Sequence, residues 1–546
     1  MTRATFSIVH FESLSSPDMD IAQSHAHDAS TKSKAAGTAM LLALAMLAAC
    51  TNSTPSAAPT APEAKRTHVY RIAGPYDSIT LDPALANGIE DSWIVGTLIF
   101  NRLYTFDAHG ILTPELATAA PILSNDHQAW TIPLRTDVRF HNDRAMNADD
   151  VVFTFERVRN PATASWAADT LSNIEAISAP DSHTVRFQLK KPQASFPAIL
   201  TWPVFSIVPR NEVLVAGNKW GQRTVIGSGP FKLASWQRGS QIKLERNAAY
   251  FRKGLPKLDA VEISFNVVAP VALERRRSGE VDYAWFDPGS EEMQSISADA
   301  ALSATMRSAT GITSAFLWLN TRNKIIADAN IRKAIAFSID RQALAKLMPQ
   351  SRPSTALAPT FDEAHIARNT FAPTEAATML TNSPHINGDD AITLLSNEAP
   401  SAVSNIIEDL QHIGLQVHVL RGVAAQYAAQ IDSGEIALVF AAQRSDSTDP
   451  SALFGSRPEC DANALISFCT ADVAALVKRA ESLTFDDPQR TAIYAHAQEI
   501  LIDEDKIIVP LLRFTYIGLG SDAAHDDDID PTLGLPSLSS AWVDAR

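Results

Sequence analysis

The sequence is short of cysteine, of glycine and of positive charge: 546 residues hold 3 Cys, 22 Gly against 31 Pro, and 46 Lys plus Arg against 61 Asp plus Glu. Each shortage excludes something. A net charge of -15 excludes general nucleic-acid binding, which needs clustered Lys and Arg to neutralise phosphates. It suits neutral or cationic ligands better, although acidity also serves plain solubility. With 46% hydrophobic and 20% charged residues, the chain reads as a folded protein with proline-punctuated loops, neither disordered nor fibrous. No nucleophile elbow, phosphate loop or zinc signature occurs, so no catalytic residue, metal or cofactor is assigned and the chain reads as a non-enzyme. Asp526-Asp527-Asp528 with Asp530 lacks the glycine and the terminal glutamate of a calcium loop and reads as a solvated acidic turn.

The longest apolar run near the start, Ala35–Ala49, falls short of the roughly 20 residues needed to span a bilayer. It follows Lys32 and Lys34 and ends in small residues before Cys50, the pattern of a secretory signal. Residues 1–49 are therefore expected to be a signal peptide, with Met19 or a later residue as an alternative start. Leu47-Ala48-Ala49-Cys50 resembles the bacterial lipobox, in which the cysteine is diacylated and becomes the mature N-terminus. Residues 50–66, rich in Thr, Ser, Ala and Pro, then form a flexible lipid-anchored tether. The competing reading is an uncleaved anchor or a chance apolar run. With Cys50 assigned to lipid, Cys460 and Cys469 remain, and in an exported protein they most economically form one disulfide. Zinc would need four ligands that this pair does not supply.

The length calls for at least two lobes, each with its own core. Thr184–Leu189 and the segment around Val261, Ile263 and Phe265 alternate as half-buried strands. Asn147 caps a helix carrying Val151, Phe155 and Val158. Val403, Ile406, Ile407, Leu410 and Ile413 make a helical stripe that stops at Gly414, after which Leu415, Val417 and Val419 alternate as a strand. Asp487-Pro488 opens a last helix.

Several segments resemble the family 5 solute-binding proteins of peptide, nickel and related ATP-driven importers. Leu81-Asp82-Pro83, Gly88-Ile89 and Leu103-Tyr104 are similar to that family's opening. Thr113-Pro114-Glu115-Leu116-Ala117, Phe140-His141-Asn142-Asp143 and Met146 to Val151 follow in the family's order. So do Gly227-Ser228-Gly229-Pro230-Phe231, Tyr250 to Gly254, Leu319-Asn320-Thr321 and Ile331 to Ala336 with Ile339-Asp340-Arg341. The resemblance implies an α/β, two-lobed periplasmic-binding-protein fold with an additional inserted subdomain and a hinge. It places lobe I at 67–107, 222–311 and 515–546, the subdomain at 108–221, and lobe II at 312–514. It also implies a monomeric, extracytoplasmic protein that captures peptides between its lobes by hinge closure and delivers them to the permease subunits of an ABC transporter. A nickel chelate, haem or another nonpeptide ligand is the alternative, as is a surface lipoprotein acting as adhesin or chaperone.

Site residues follow from the same resemblance. Asp446 corresponds to the aspartate that takes a peptide's ammonium in relatives, the competing role being a loop cap. Asn87, Gly88 and Ile89 correspond to backbone that pairs with peptide as an extra strand, or form an ordinary loop. Asp449-Pro450 reads as structural. Arg444 departs from the family pattern and either binds a ligand carboxylate or sits at the cleft rim. Phe316 and Trp318 either line the cleft or belong to the core. The Cys460–Cys469 pair matches the local disulfide of the dipeptide-binding and antimicrobial-peptide-transport branches.

Overall fold

Alternation of buried and exposed side chains decides the strands. In Thr184–Leu189 the residues Val185, Phe187 and Leu189 are buried while Arg186 is exposed, and in Ala260–Ser264 Val261 and Ile263 are buried. Both agree with the spacing read from sequence. The helix Ala148–Arg159 starts on a reciprocal cap: Asp150 N–H donates to the Asn147 side chain at 3.3 Å, and Asn147 N–H donates to the Asp150 carboxylate at 3.1 Å. Asp487 caps Pro488–Glu499 by accepting from Gln489 N–H at 2.8 Å, with Pro488 in the first turn, where no N–H is missed.

The computed structural model describes residues 68–107, 110–286, 290–357, 371–381, 383, 391–445, 447–454 and 470–544, all within one unit of the chain. The signal and tether segments, Cys50, Asp446, Cys460 and Cys469 lie outside the described residues. Among the described residues no helix is long and apolar enough to cross a membrane.

The fold is α/β with two lobes. Eleven of the described strands share one sheet, which begins at the edge strand Gln416–Arg421 and continues through Ala391–Ser396 and Ile436–Arg444 to Met306–Leu319 and Ile508–Leu519. It goes on through Tyr283–Trp285, Val69–Ala73, Ala260–Ser264 and Gln241–Arg246 to Phe231–Gln237, while Ser351–Pro353 pairs with Ile508–Leu519 off this path. One lobe's core gathers Tyr70, Trp93, Phe100, Leu244 and Val261; the other's gathers Leu317, Ile335, Leu394, Ile406 and Leu511.

Two long antiparallel strands serve both lobes. Met306–Thr310 pairs with Thr515–Leu519, and Ser314–Trp318 pairs with Ile508–Arg513, with a register shift between Thr310 and Ser314. At the shift a Cβ on Gly311 would lie 2.6 Å from the Tyr516 ring, so only glycine lets the strands cross there without displacing the aromatic.

The inserted subdomain has its own four-stranded sheet of Ile122–Leu123, Ala129–Pro133, Thr184–Leu189 and Ile174–Asp181, covered by Phe155, Phe196 and Phe205. Its core also takes in Leu103, Tyr104, Tyr250 and Phe251, and the hairpin Tyr104–Phe106 with Leu112–Pro114 straddles the expected join at 107/108. His141 pins it to the first lobe. Gly227 N–H donates to His141 Nδ1 at 3.2 Å, so Nε2 carries the hydrogen and faces the Gly229 carbonyl at 3.1 Å. Gly227 passes so close to the Ile99 carbonyl that a Cβ would overlap it, the physical reason for the Gly-Ser-Gly-Pro turn.

One expectation is borne out and one changes. The helix Pro400–His412, the glycine stop at Gly414 and the strand Gln416–Arg421 follow in the expected order, and none of the strand's six residues is buried at this edge of the sheet. The acidic turn is not simply solvated: Asp527 is buried and accepts from the Tyr70 hydroxyl at 2.6 Å, since the C-terminal segment packs on the first lobe.

Loss of water around its ring pushes His141 from 6.5 down to about 4, against the opposing bond to Gly229. The unfolded chain therefore takes up this proton near pH 6.5 and the folded chain only near pH 4, so stability falls as pH drops through that window. Thermal unfolding scanned from pH 7 to 4 should show this loss, and His141→Gln should flatten the corresponding part of the profile. Gly311→Ala should cost about 1–3 kcal/mol by overpacking against Tyr516, visible as a lower denaturant midpoint with an unchanged m-value.

Candidate functional site

Open α/β sheets present ligand crevices at the carboxyl ends of their parallel strands. Arg444 ends the strand Ile436–Arg444, which runs parallel to Ala391–Ser396, and it pairs across with Thr313 at the hinge crossing. Ser445 N–H then donates to the Ile312 carbonyl at 3.1 Å. A small crevice holding about 40 Å³ of solvent-sized space, partly open to solvent, lies beside this point. Arg444, Ser445 and Ser447 line it from the second lobe, Ile312 from the hinge, Asp530, Thr532 and Leu533 from the C-terminal segment, and Arg102, Thr105, Phe106, Thr201 and Pro203 from the other side.

The two guanidinium groups on this wall differ in what they have left to give. Arg102 is neutralised by Glu115: its main-chain N–H donates to that carboxylate at 2.9 Å and its Nε lies 3.4 Å from it. Its Nη1 is used by the Thr201 carbonyl at 3.1 Å. Asn101 donates to the other Glu115 oxygen at 2.8 Å. Arg444, by contrast, has no carboxylate at ion-pair distance among the described residues, and its buried Nη1 has no hydrogen-bond partner. A buried cationic donor left unpaired is costly unless something else answers it. The Thr448 hydroxyl, four residues on, is likewise buried and unpaired.

Opposite charge comes from the C-terminal segment. One oxygen of Asp530 is held by its own turn, accepting from Thr532 N–H at 2.7 Å, the Thr532 hydroxyl at 2.5 Å and Leu533 N–H at 3.3 Å. The Tyr516 hydroxyl lies 3.3 Å from that of Thr313. Burial raises its pKa, while the nearby Arg444 charge works to lower it. Among the described residues, the cavity wall thus carries one cation without an ion-pair partner and one carboxylate from a different part of the chain, which suits a ligand with separated charges.

Behind the loop lies a buried ion network. Arg490 grips Asp449 with two bonds of 2.7 Å and lies 3.5 Å from Glu481, which also accepts from the Tyr494 hydroxyl. Burial opposes the Arg490 charge, but the bonds and charge of Asp449 outweigh it and the net shift is upward. Asp449 also accepts from Ser451 N–H at 2.9 Å and opens the short helical turn Pro450–Phe454, as its structural reading expected.

The other expected site residues among the described ones do not gather at the cavity. Gly88 is the N-cap of the helix Ile89–Trp93 and Ile89 its first residue, with Asn87 exposed just before. Trp318 and Phe316 are each only 3% exposed and sit in an apolar cluster with Leu395, Val439 and Ile508, which is the core reading of the pair. Sequence reasoning missed Arg102, Tyr516 and Asp530. For Asp530 the local signal was present in Asp530-Pro531-Thr532, a turn-forming run that the acidic neighbours obscured.

Comparison with known proteins supports the fold. The description "Bacterial extracellular solute-binding proteins, family 5 Middle" matches residues 112–463. Di/tripeptide-binding protein 1 of Pseudomonas aeruginosa is 27% identical over 502 residues, covering 85% of this chain and 92% of its own length. HbpA2 from Haemophilus parasuis has a TM-score of 0.76 at 20% identity, covering 87% of this chain and 100% of that one. DppA from Helicobacter pylori, an ABC transporter-associated periplasmic binding protein in complex with the peptide STSA, has a TM-score of 0.69 at 22% identity, covering 88% and 99%. With more than half of its length matched, this chain belongs to the family 5 bacterial extracellular solute-binding proteins.

Proposed function

We propose that this protein captures short peptides and hands them to the permease of an ABC importer. The observation that carries the reading is Arg444, a cation without a counter-ion among the described residues, on the wall of a cavity where both lobes and the hinge meet. A peptide brings a carboxylate, an ammonium and unpaired main-chain groups, all of which need partners once water is excluded. Arg444 takes the carboxylate and Asp446, two positions later, the ammonium. The names of the di/tripeptide-binding relative and the peptide-bound DppA support the same ligand class.

Closure is a rigid-body rotation about the two long strands. Residues 67–107, 222–311 and 515–546, carrying the subdomain 108–221, move as one piece against 312–514. The register shift between Thr310 and Ser314 supports a pivot at that join. Cys50 anchors the monomer to the membrane outside the cytoplasm through its acylated thiol, residues 50–66 give it reach, and Cys460–Cys469 staples the loop behind Asp446. The helix cap at Gly88 leaves the main chain of 87–89 as a weaker candidate for peptide pairing than the charged wall.

Titration calorimetry with free di- and tripeptides, their C-terminal amides and their N-acetyl forms tests this. Charge-assisted bonds contribute about 1.5–3 kcal/mol, so Arg444→Gln should weaken free peptides about ten- to a hundredfold and leave amides unchanged. Asp446→Ala should do the same while sparing N-acetyl peptides. Absence of binding by any peptide, with stabilisation by a nickel chelate or haem instead, would overturn the peptide assignment. Separately, Cys50→Ser should move the protein from the membrane fraction to the soluble one on cell fractionation.

A further inference from the structure

Glu481 is 1% exposed and lies on the second lobe, beside Val477, Ala480 and Tyr494 of its core. One of its carboxylate oxygens faces away from that lobe. It accepts from Ser195 N–H at 3.0 Å and from the Ser195 hydroxyl at 2.8 Å, both on the inserted subdomain. The Glu481 carbonyl accepts from Ala194 N–H at 3.1 Å, and His127 Nδ1 lies 3.0 Å from the Ser482 carbonyl. The receiving side is built in advance: Asn173 donates to Gln193 at 2.9 Å, and Gln193 Nε2 lies 3.4 Å from the Ser195 hydroxyl. On the other side, Glu481 shares Arg490 with Asp449, three residues after Asp446. A continuous buried polar chain thus runs from Asn173 in the subdomain to the loop beside the cavity.

The two ends of this chain belong to different cores, Phe196 and Ile199 on one side and Val477 and Tyr494 on the other. The contact between them, among the described residues, combines these hydrogen bonds with Phe485, which packs against the subdomain core. Contacts between parts of one chain that rest on such polar bonds are the kind that open and re-form. We infer that Glu481 is a positioning residue, a latch that closes on Ser195 when the lobes meet and, through Arg490 and Asp449, fixes the ligand loop in its binding geometry. The inference rests on hinge closure over a ligand, as proposed above.

The test places spin labels at Val215 on the subdomain and Lys478 on the second lobe, both exposed, and reads the distance between them with and without trialanine. Ser195→Asp sets a second carboxylate against Glu481. It should abolish the short-distance population and weaken trialanine at least about tenfold, the worth of one such bond. A latch made only on closure predicts that the melting temperature of the ligand-free protein does not change. Ser195→Ala keeps the N–H bond and should fall between. Distances identical to wild type in Ser195→Asp, or a ligand-free melting temperature that falls in step with affinity, would mean permanent packing and overturn the latch. A wild type that fails to bind trialanine or other short peptides while its distances respond to Ser195→Asp would sink the peptide reading and leave the latch standing.

Discussion

Main-chain pairing between Met306–Leu319 and Ile508–Leu519 is the constraint on which the molecule depends. Each strand gives one end to one lobe and the other end to the second, so both cores are organised around the same pair of backbones. Were the ladder unbroken, the lobes would be one stiff sheet; were it absent, nothing would set their spacing. The shift between Thr310 and Ser314 removes pairing over a few residues only, which localises bending without releasing the partners. Gly311 and the Tyr516 ring fill that gap, and the cavity opens next to it.

Electrostatics then sorts the polar groups into those already spent and those still available. Asp150 is engaged by Arg144 as well as by the helix cap, Asp82 by Arg157, Glu115 by Arg102, and Asp449 by Arg490. These pairs are wholly or partly buried and hold loops to their neighbours. They do not offer themselves to a ligand, since their charge is answered inside the protein. Arg444 stands apart because its answer is not among the described residues, and it stands where three parts of the fold converge.

Local order was legible in the sequence wherever it depends on neighbours within a few positions. The alternation in Thr184–Leu189, the cap at Asn147 and the Asp487-Pro488 start are all of this kind. Motif resemblance added the family and its fold. What stayed hidden involves partners far apart in the chain: Ser195 meets Glu481 across 286 positions and Tyr70 meets Asp527 across 457. Nothing in local periodicity marks a glutamate in an amphipathic helix as buried. The exposure of Gln416–Arg421 was hidden for a related reason, because an edge strand has the same alternating pattern as an interior one. At the site, Arg444 was singled out only because it breaks the family pattern.

The described residues begin at His68, whose main-chain N–H donates to Asp259 at 2.9 Å and whose ring nitrogen lies 2.8 Å from the Val543 carbonyl. The next five residues, Val69–Ala73, lie between two neighbours in the interior of the sheet, running parallel to both. A pull applied at His68 therefore does not peel hydrogen bonds one at a time. It loads the rungs between Val69–Ala73 and Ala260–Ser264 together, in shear. The first lobe would take such a load directly, through a strand with a neighbour on either side.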